Sequence, residues 1–358
     1  MLQQVSLDVA EKFCKATIKA KKVPYVAGSP GCGKSAMVRS IAAEANLKVI
    51  DIRLAQEDPT TINGFPQIEN GRSKYLPPEL FPLQGIDSLP VETDETGKVT
   101  HRYRGWLIFF DELPSAPRSV QAAAYKIILD RLVGNNELHE QCYMIAAGNL
   151  LTDGAIVNEI GTALRSRMVH IHVKSNPESY LTVGARIGLD TRVLSYLAYQ
   201  KQKVNTFAEY QKGSSDETFA CERTWEFLSD ILKEISPNQG TAISDEWTTL
   251  LQGTVGSSAL EFVTYTHAFK DLPSIDQILA DPLNTMIPNK PAVMWLLTGM
   301  LVGNADSMNI DILMDYIMRL PKEFQFVATK MLWGKSDSFL DNAKVEQVFS
   351  EIGDMLLA

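Results

Sequence analysis

The stretch Gly28-Ser29-Pro30-Gly31-Cys32-Gly33-Lys34-Ser35 decides how this sequence is interpreted. It fits the pattern G-x-x-x-x-G-K-[ST] and stands between an apolar run at residues 23–27 and a helical pattern at residues 36–45. Glycines let backbone N–H groups curve around phosphate oxygens at the positive end of a helix. The sequence therefore predicts a phosphate-binding loop, with Lys34 reaching the β and γ phosphates of a nucleotide and Ser35 offering its hydroxyl to Mg²⁺. The residues expected at the nucleotide are Gly28, Ser29, Pro30, Gly31, Cys32, Gly33, Lys34, Ser35 and Ala36.

A second apolar run, residues 106–110, ends in the two acidic residues Asp111 and Glu112. A strand buried on both faces would bring Asp111 beside the phosphate loop, where a carboxylate can hold Mg²⁺. Glu112 would then be placed to activate water. The pattern is weak alone, because many strands end in an acidic turn, and it gains its meaning from the phosphate loop that precedes it.

Two further sets of polar residues follow later strands. Asn149 comes after the run at residues 143–147, where it could position the attacking water or simply serve as a turn residue after Gly148. Arg165 and Arg167 precede the last apolar run. An arginine there can point out of one subunit toward the γ-phosphate held by its neighbour, and the alternative is a solvated pair.

Short apolar runs alternate with helical patterns in the first half of the chain, which predicts a parallel sheet covered by helices. The five strands are expected at residues 23–27, 48–52, 106–110, 143–147 and 169–173. The irregular residues 55–104 form an insertion too long for an idle loop, with a hairpin around residues 94–97. After residue 175 amphipathic segments dominate. We expect a core domain at residues 1–174 and a mainly helical region at residues 175–358.

Composition limits the classes of protein that remain. Hydrophobic residues make up 45% of the 358 residues, which excludes wholesale disorder. The net charge of −9 argues against binding nucleic acid by overall charge. No apolar run approaches the ~20 residues that cross a bilayer, and the charged N-terminal residues predict an ordinary helix rather than a signal peptide. The four cysteines lack metal-ligand spacing, so we expect a reduced, cytoplasmic protein without membrane insertion.

At this point the sequence resembles the AAA+ ATPases, and within them the MoxR-like group. The resemblance spans roughly residues 20–335 and rests on GSPGCGKS, LIFFDELPSAPRSVQAAAYKIILDR, AAGNLLTDGA, ALRSRMVHI and CERTWEFLSDIL. It implies an α/β P-loop NTPase with an αβα core and a five-stranded parallel sheet, followed by a helical lid and a C-terminal helical tail. In that family Asn149 would be sensor 1, Arg167 the arginine finger with Arg165 as the fallback, and Arg223 sensor 2.

The resemblance also implies structural and functional expectations beyond these residues. Residues 130–142 are similar to the hairpin that precedes sensor 1, and residues 55–104 occupy the region of pore-facing insertions, where Phe65 and Tyr75 are candidates. Members form rings, usually hexamers, that use ATP and Mg²⁺ to remodel other proteins, often beside a partner with a von Willebrand factor A domain. The adhesion motif D-x-S-x-S of that domain does not occur in this sequence, so any such partner would be a separate protein.

Two other classes of function remain open from the sequence. A nucleic-acid motor or loader would use basic residues interleaved with aromatics, as in His101-Arg102-Tyr103-Arg104 and Arg72-Ser73-Lys74-Tyr75, although these are equally compatible with solvated hairpins. A nucleotide-dependent binding module that hydrolyses little is disfavoured because Glu112 is intact.

Overall fold

The computed structural model describes residues 2–150 and 160–357. The chain divides into two compact units, residues 1–174 and residues 175–358. The end of the AAGNLLTDGA motif, residues 151–155, lies outside the described residues. No helix in the described part of the chain is long and apolar enough to cross a membrane.

All strands of the described residues lie in the first unit. They are β1 (Gln4–Val5), β2 (Val23–Ala27), β3 (Lys48–Arg53), β4 (Phe65–Glu69), β5 (Arg72–Leu76), β6 (Val91–Thr93), β7 (Val99–Arg102), β8 (Trp106–Asp111), β9 (Leu132–Val133), β10 (Asn136–Glu137), β11 (Cys142–Gly148) and β12 (Met168–Val173). Six of them form the central sheet in the order β1-β12-β2-β11-β8-β3. Every pairing in that sheet is parallel.

The prediction of five strands was therefore one short. The missing strand is β1, which contains only two residues and pairs with the end of β12. Two residues carry no alternating pattern that sequence reasoning could detect. The other five expected strands all form, each within one residue of its predicted ends.

Helices cover the sheet of the first unit on both faces, as a parallel sheet requires. They are α1 (Leu7–Lys19), α2 (Lys34–Glu44), α3 (Pro59–Asn63), α4 (Arg118–Asp130) and α5 (Thr162–Arg165). Strand β8 shows why both faces need cover: Ile108 and Phe110 belong to one apolar cluster, whereas Leu107 and Phe109 belong to the other. In α1 the buried residues are Ala10, Cys14 and Ile18. Phe13 of the same helix is about half exposed.

The insertion at residues 55–104, which was expected to be irregular, contains four strands. The expected hairpin around residues 94–97 is confirmed as the antiparallel pair β6 and β7. A first hairpin, β4 and β5, was not predicted. Its signal was present, because Asn70 and Gly71 both have positive φ and an Asn-Gly pair favours the type I′ turn of a two-residue hairpin. Strands β9 and β10 form the hairpin expected between residues 130 and 142.

The described residues of the second unit form helices joined by loops, with no strand, as the amphipathic patterns predicted. Its helices are α6 (Pro177–Arg186), α7 (Thr191–Tyr199), α8 (Phe207–Tyr210), α9 (Glu222–Ile235), α10 (Thr248–Val255), α11 (Ser258–Thr266), α12 (Ile275–Ala280), α13 (Pro291–Asn304), α14 (Ile310–Ile317), α15 (Lys322–Lys335) and α16 (Ala343–Leu357). An aromatic group of Tyr196, Trp225 and Phe262 lies in its core. A fully buried ion pair joins Arg192 to Asp190 with 2.7 Å between Nη2 and Oδ2.

Candidate nucleotide site

The phosphate loop, residues 28–35, has the backbone of an anion cradle. Gly31 and Gly33 have φ of 77° and 86°, in the left-handed region that favours glycine. A Cβ on Gly28 would lie 2.3 Å from Cγ2 of Val173, so the loop leaves β2 where only glycine fits. Gly33 caps α2, and among the residues that the structure describes no side-chain cap bond is made to the helix N-terminus there. The first N–H groups of α2 are thus left for an anion, which the helix dipole also favours.

Lys34 is the first residue of α2 and is only 8% exposed. Its Nζ donates to the carbonyl oxygens of Gly28 at 2.6 Å and Ser29 at 3.0 Å. A third contact, at 3.3 Å, goes to Oδ1 of Asn149. The ammonium group is therefore held over its own loop, where a phosphate would bind.

Strand order explains why Asn149 reaches Lys34. Strand β11 lies between β2 and β8 and pairs in parallel with both. The carboxyl ends of parallel strands meet at one edge of a sheet, which is where ligands bind in such folds. Asn149 directly follows β11, so it lies between the phosphate loop after β2 and Asp111 at the end of β8.

Asp111 and Ser35 form the oxygen pair predicted for a metal. The Oγ of Ser35 donates to Oδ2 of Asp111 at 3.3 Å. The other carboxylate oxygen of Asp111 accepts the backbone N–H of Glu112 at 2.9 Å. Within the described residues no group of three or more His, Cys, Asp or Glu side chains could hold a metal ion by itself. One hydroxyl and one carboxylate suit Mg²⁺, which prefers few protein ligands and completes its shell with phosphate and water.

Glu112 has a strained backbone. Its φ of 56° and ψ of 30° are left-handed, which is uncommon for a residue with a side chain. It caps the short 3-10 helix Leu113–Ser115, and its carbonyl accepts the N–H of Ser115 at 2.9 Å. The chain therefore turns sharply at Glu112, directly after Asp111 ends β8.

Gly148 is a site residue that sequence reasoning missed. A Cβ there would lie 2.3 Å from Cδ of Pro114 and 2.8 Å from the hydroxyl of Tyr25. The absence of a side chain lets the end of β11 approach the turn that follows Glu112. A glycine at a strand end was the available signal, since it often marks close approach of two segments.

The candidate arginines divide between the two units. Arg165 ends α5, Arg167 follows within two residues, and both side chains are exposed. The guanidinium carbon of Arg167 lies 6.0 Å from the ring centre of Tyr125. Arg223 is the second residue of α9 in the second unit, and it too is exposed. The first unit thus brings Lys34, Ser35, Asp111, Glu112 and Asn149 to one edge of the sheet.

Comparison with protein families agrees with this geometry. Residues 24–175 match the family model described as ATPase family associated with various cellular activities, or AAA. The first unit therefore has the P-loop αβα fold that the sequence predicted, and residues 24–175 are similar to an AAA ATPase domain. This match supports nucleotide binding and ATP hydrolysis as general activities. The matching model describes the AAA family in general and not the MoxR-like subgroup.

Solved structures give remote similarities. A protein of Cytophaga hutchinsonii assigned as an ATPase is 13% identical, with a TM-score of 0.36 over 98% of this chain and 89% of that one. Two point mutants of Thermotoga maritima RuvB are 14% and 13% identical, with TM-scores of 0.33 and 0.36. The matches cover 79% and 78% of this chain and 80% and 74% of theirs. No curated protein matches the sequence significantly.

Proposed function

We propose that this protein is a Mg²⁺-dependent, ring-forming ATPase of the MoxR-like type that remodels a separate protein client or partner. The observation that carries the proposal is the convergence of Lys34, Asp111 and Asn149 at the carboxyl ends of three adjacent strands. Hydrolysis needs a phosphate cradle, a metal site and a polar group for water at one place.

The chain's own residues fit both nucleotide and metal. Backbone N–H groups at the start of α2, with the ammonium of Lys34, suit the phosphates. The hydroxyl of Ser35 and the carboxylate of Asp111 suit Mg²⁺. When bound, ATP and Mg²⁺ supply the transferable phosphoryl group and the charge that neutralises its oxygens.

Each remaining residue has a separate role in the proposal. Glu112 accepts a proton from the attacking water, and Asn149 orients that water. Lys34 exchanges its loop carbonyl partners for phosphate oxygens. Because Asn149 contacts Lys34 at 3.3 Å, the residue proposed to orient water also borders the phosphate cradle.

Ring assembly would complete the site. Arg165 and Arg167 are exposed on the surface of the first unit, and Arg167 is the preferred finger with Arg165 as fallback. Arg223 is proposed to report the γ-phosphate to the helical unit. ATP binding and release would then change the arrangement of subunits, which is the work done on a client.

The first hairpin, β4 and β5, is the proposed contact with the client. Its apolar side chains are unusually exposed: Phe65 by 65%, Ile68 by 81% and Leu76 by 60%. Tyr75, the other aromatic candidate, is 44% exposed. Apolar groups gathered on a surface hairpin are typical of a protein-binding site.

The nucleic-acid motor is the weaker alternative. Stacking on bases needs free aromatic faces, but His101 and Tyr103 pack edge to face at 4.5 Å. The ring of His101 also bonds to Asn46, and the hydroxyl of Tyr103 bonds to Glu92. Both rings are therefore committed to holding the second hairpin, β6 and β7. Stimulation of hydrolysis by DNA, with a steep dependence on salt, would instead favour the motor.

A trap variant tests the proposal. Glu112→Gln should bind ATP without turnover, so it should accumulate as a ring with its client attached. Light scattering measures the mass with ATP, with ADP and without nucleotide, and affinity capture with mass spectrometry identifies the bound protein. A Glu112→Gln chain that stays monomeric with ATP at micromolar concentration would contradict ring formation.

A further inference from the structure

The end of α5 presents carbonyl groups that the helix itself cannot satisfy, as every helix C-terminus does. The carbonyls of Thr162 and Leu164 accept backbone N–H groups from Ser166 and Arg167, at 3.1 and 3.2 Å. The carbonyl of Arg165 accepts a bond from a side chain instead: Nε2 of His170 lies 2.8 Å from it. A carbonyl oxygen can only accept, so Nε2 must carry the proton in this contact.

His170 is itself held by the phosphate-loop strand. It lies on β12 directly opposite Tyr25 of β2. The two rings meet edge to face, with centres 5.3 Å apart and planes at 72°. Tyr25 is 5% exposed, so its ring cannot move freely. Burial raises the pKa of the Tyr25 hydroxyl, and the positive charge of Arg165 opposes that rise.

In the proposed ring, these contacts would connect two catalytic sites: the subunit's own site and that of its neighbour. Tyr25 lies on the strand that leads into the subunit's own phosphate loop. The arginine turn, residues 165–167, carries the side chains proposed for the neighbour's centre. His170 is the link between them, because it touches the ring of Tyr25 and holds the carbonyl of Arg165.

We propose that His170 is a positioning residue for the arginine turn: its Nε2–H fixes the end of α5, so that the finger is presented to the neighbouring subunit in one orientation. This inference rests on the proposed function, in which the arginine acts across a subunit interface. The catalytic effect of a charge depends on its placement within about 1 Å, and a misplacement of that size can cost about 100-fold in rate.

Substitutions at position 170 separate the bond from the bulk of the ring. His170→Ala should lower kcat by roughly 10- to 100-fold with little change in ATP affinity. His170→Gln should restore most of the rate, because its amide nitrogen is four bonds from Cα, like Nε2 of histidine. His170→Asn, whose nitrogen is one bond closer, should not. His172→Gln on the same face of β12 is the matched control and should leave kcat unchanged.

Mixed rings then show where the defect acts. His170→Ala subunits retain Glu112, and Glu112→Gln subunits retain an intact arginine turn, so some mixed interfaces would join the two intact halves. We expect mixing to raise the rate of hydrolysis above that of either variant alone. A merely structural role in the subunit's own phosphate-loop strand would give no recovery, since the defect would stay with the intact Glu112.

A reference mixture distinguishes the two possible failures. Arg167→Ala subunits mixed with Glu112→Gln subunits test the shared site itself, with co-assembly verified by native mass spectrometry. Recovery in that mixture but not with His170→Ala would overturn the role of His170 and leave the proposed function standing. Absence of recovery in both mixtures would overturn both proposals. Equal rates for His170→Ala and the parent chain would also refute the inference.

Discussion

Glu112, the proposed catalytic base, has a backbone conformation that its side chain disfavours. A left-handed conformation costs a residue with a Cβ about 1–2 kcal/mol relative to glycine, and here φ is 56°. Strain of this kind persists where the surrounding structure determines it, and it concentrates at functional sites. The turn at Glu112 is held by the close packing of Pro114 against Gly148.

Replacing Glu112 by glycine should therefore separate stability from activity. Glu112→Gly relieves the left-handed strain and should raise the free energy of unfolding by up to about 1 kcal/mol. The same change removes the proposed base and should abolish turnover. Urea unfolding and phosphate release measure the two effects. Glu112→Ala is the control, because it removes the carboxylate but keeps the strain; equal stability of both variants would contradict the argument.

Substitutions of Lys34 and Glu112 should affect different quantities, ATP affinity in the first case and kcat in the second. Lys34→Ala removes a buried cation from the phosphate cradle, and losing such a contact costs about 3 kcal/mol, or more than 100-fold in ATP affinity. Glu112→Gln should keep ATP affinity and lower kcat by about 10²–10⁴-fold, the usual contribution of a general base. A fluorescent ATP analogue gives affinity, and phosphate release gives rate.

Controls make that pair of substitutions decisive. Glu137→Gln, an exposed acid on β10, should change neither quantity. Chelation of Mg²⁺ should abolish ATP hydrolysis by the unsubstituted protein, because Ser35 and Asp111 are proposed to bind this ion. Equal loss of ATP affinity in Lys34→Ala and Glu112→Gln would contradict the separate roles of Lys34 in phosphate binding and Glu112 in hydrolysis.

Between elements, the end of β11 approaches the turn after β8 so closely that no side chain fits at Gly148. Gly148→Ala would place a methyl carbon 2.3 Å from the rigid ring of Pro114. Overpacking of this kind costs about 1–3 kcal/mol of stability. The backbone would have to shift to make room for the methyl group, and that shift would move both Glu112 and Asn149. We expect lower kcat together with a lower midpoint of urea unfolding.

A glycine elsewhere serves as the comparison. A Cβ on Gly253, within α10, meets no heavy atom within 4 Å. Gly253→Ala should leave hydrolysis unchanged and raise stability by up to about 1 kcal/mol, because alanine favours helix. An unchanged midpoint and rate in Gly148→Ala would show that the close contact does not matter.

The first hairpin presents its two aromatic side chains on opposite faces. Phe65 pairs with Leu76, and Pro66 pairs with Tyr75, so Phe65 and Tyr75 alternate across the ribbon. A Cβ on Gly134 would lie 3.1 Å from Cβ of Tyr75, which places the Tyr75 face against the turn between β9 and β10. Phe65 is the freer of the two and the better candidate for client contact.

Phe65→Ala should accordingly uncouple hydrolysis from work on a client. The basal rate should stay within about twofold, as expected for a surface substitution away from the site. In the Glu112→Gln background, the same change should reduce the amount of captured client. Leu250→Ala, which alters an apolar residue of the second unit that is 46% exposed, is the control. Undiminished capture by the Phe65 variant would exclude the residue from client contact.

Over the whole molecule, an incomplete active site would make activity depend on assembly. A charge supplied by a neighbour at the phosphoryl-transfer step is worth about 10³-fold or more in rate. Arg167→Ala should therefore nearly abolish hydrolysis and leave ATP binding intact, and Arg165→Ala should have the smaller effect. The specific activity of the parent chain should rise with concentration across the assembly range. A specific activity independent of concentration, with a monomeric mass, would argue for a site complete in one subunit.

The sequence by itself determined the local parts of this protein. The glycine spacing of residues 28–35 requires a loop whose backbone can adopt positive φ, and the continuous apolar runs of β2, β8 and β11 require strands buried on both faces. Those properties depend on neighbours in the chain, so residue order predicted the phosphate loop, the acidic strand end and five of the six strands of the sheet.

Only the tertiary structure decided which of these parts meet. Residue order does not state that β11 lies between β2 and β8, and that order is what brings Asn149 within 3.3 Å of Lys34. The bond from His170 to Arg165 and the fit of Gly148 against Pro114 likewise depend on side chains from different elements. Such contacts follow from packing and strand order, for which a single sequence carries no local signal.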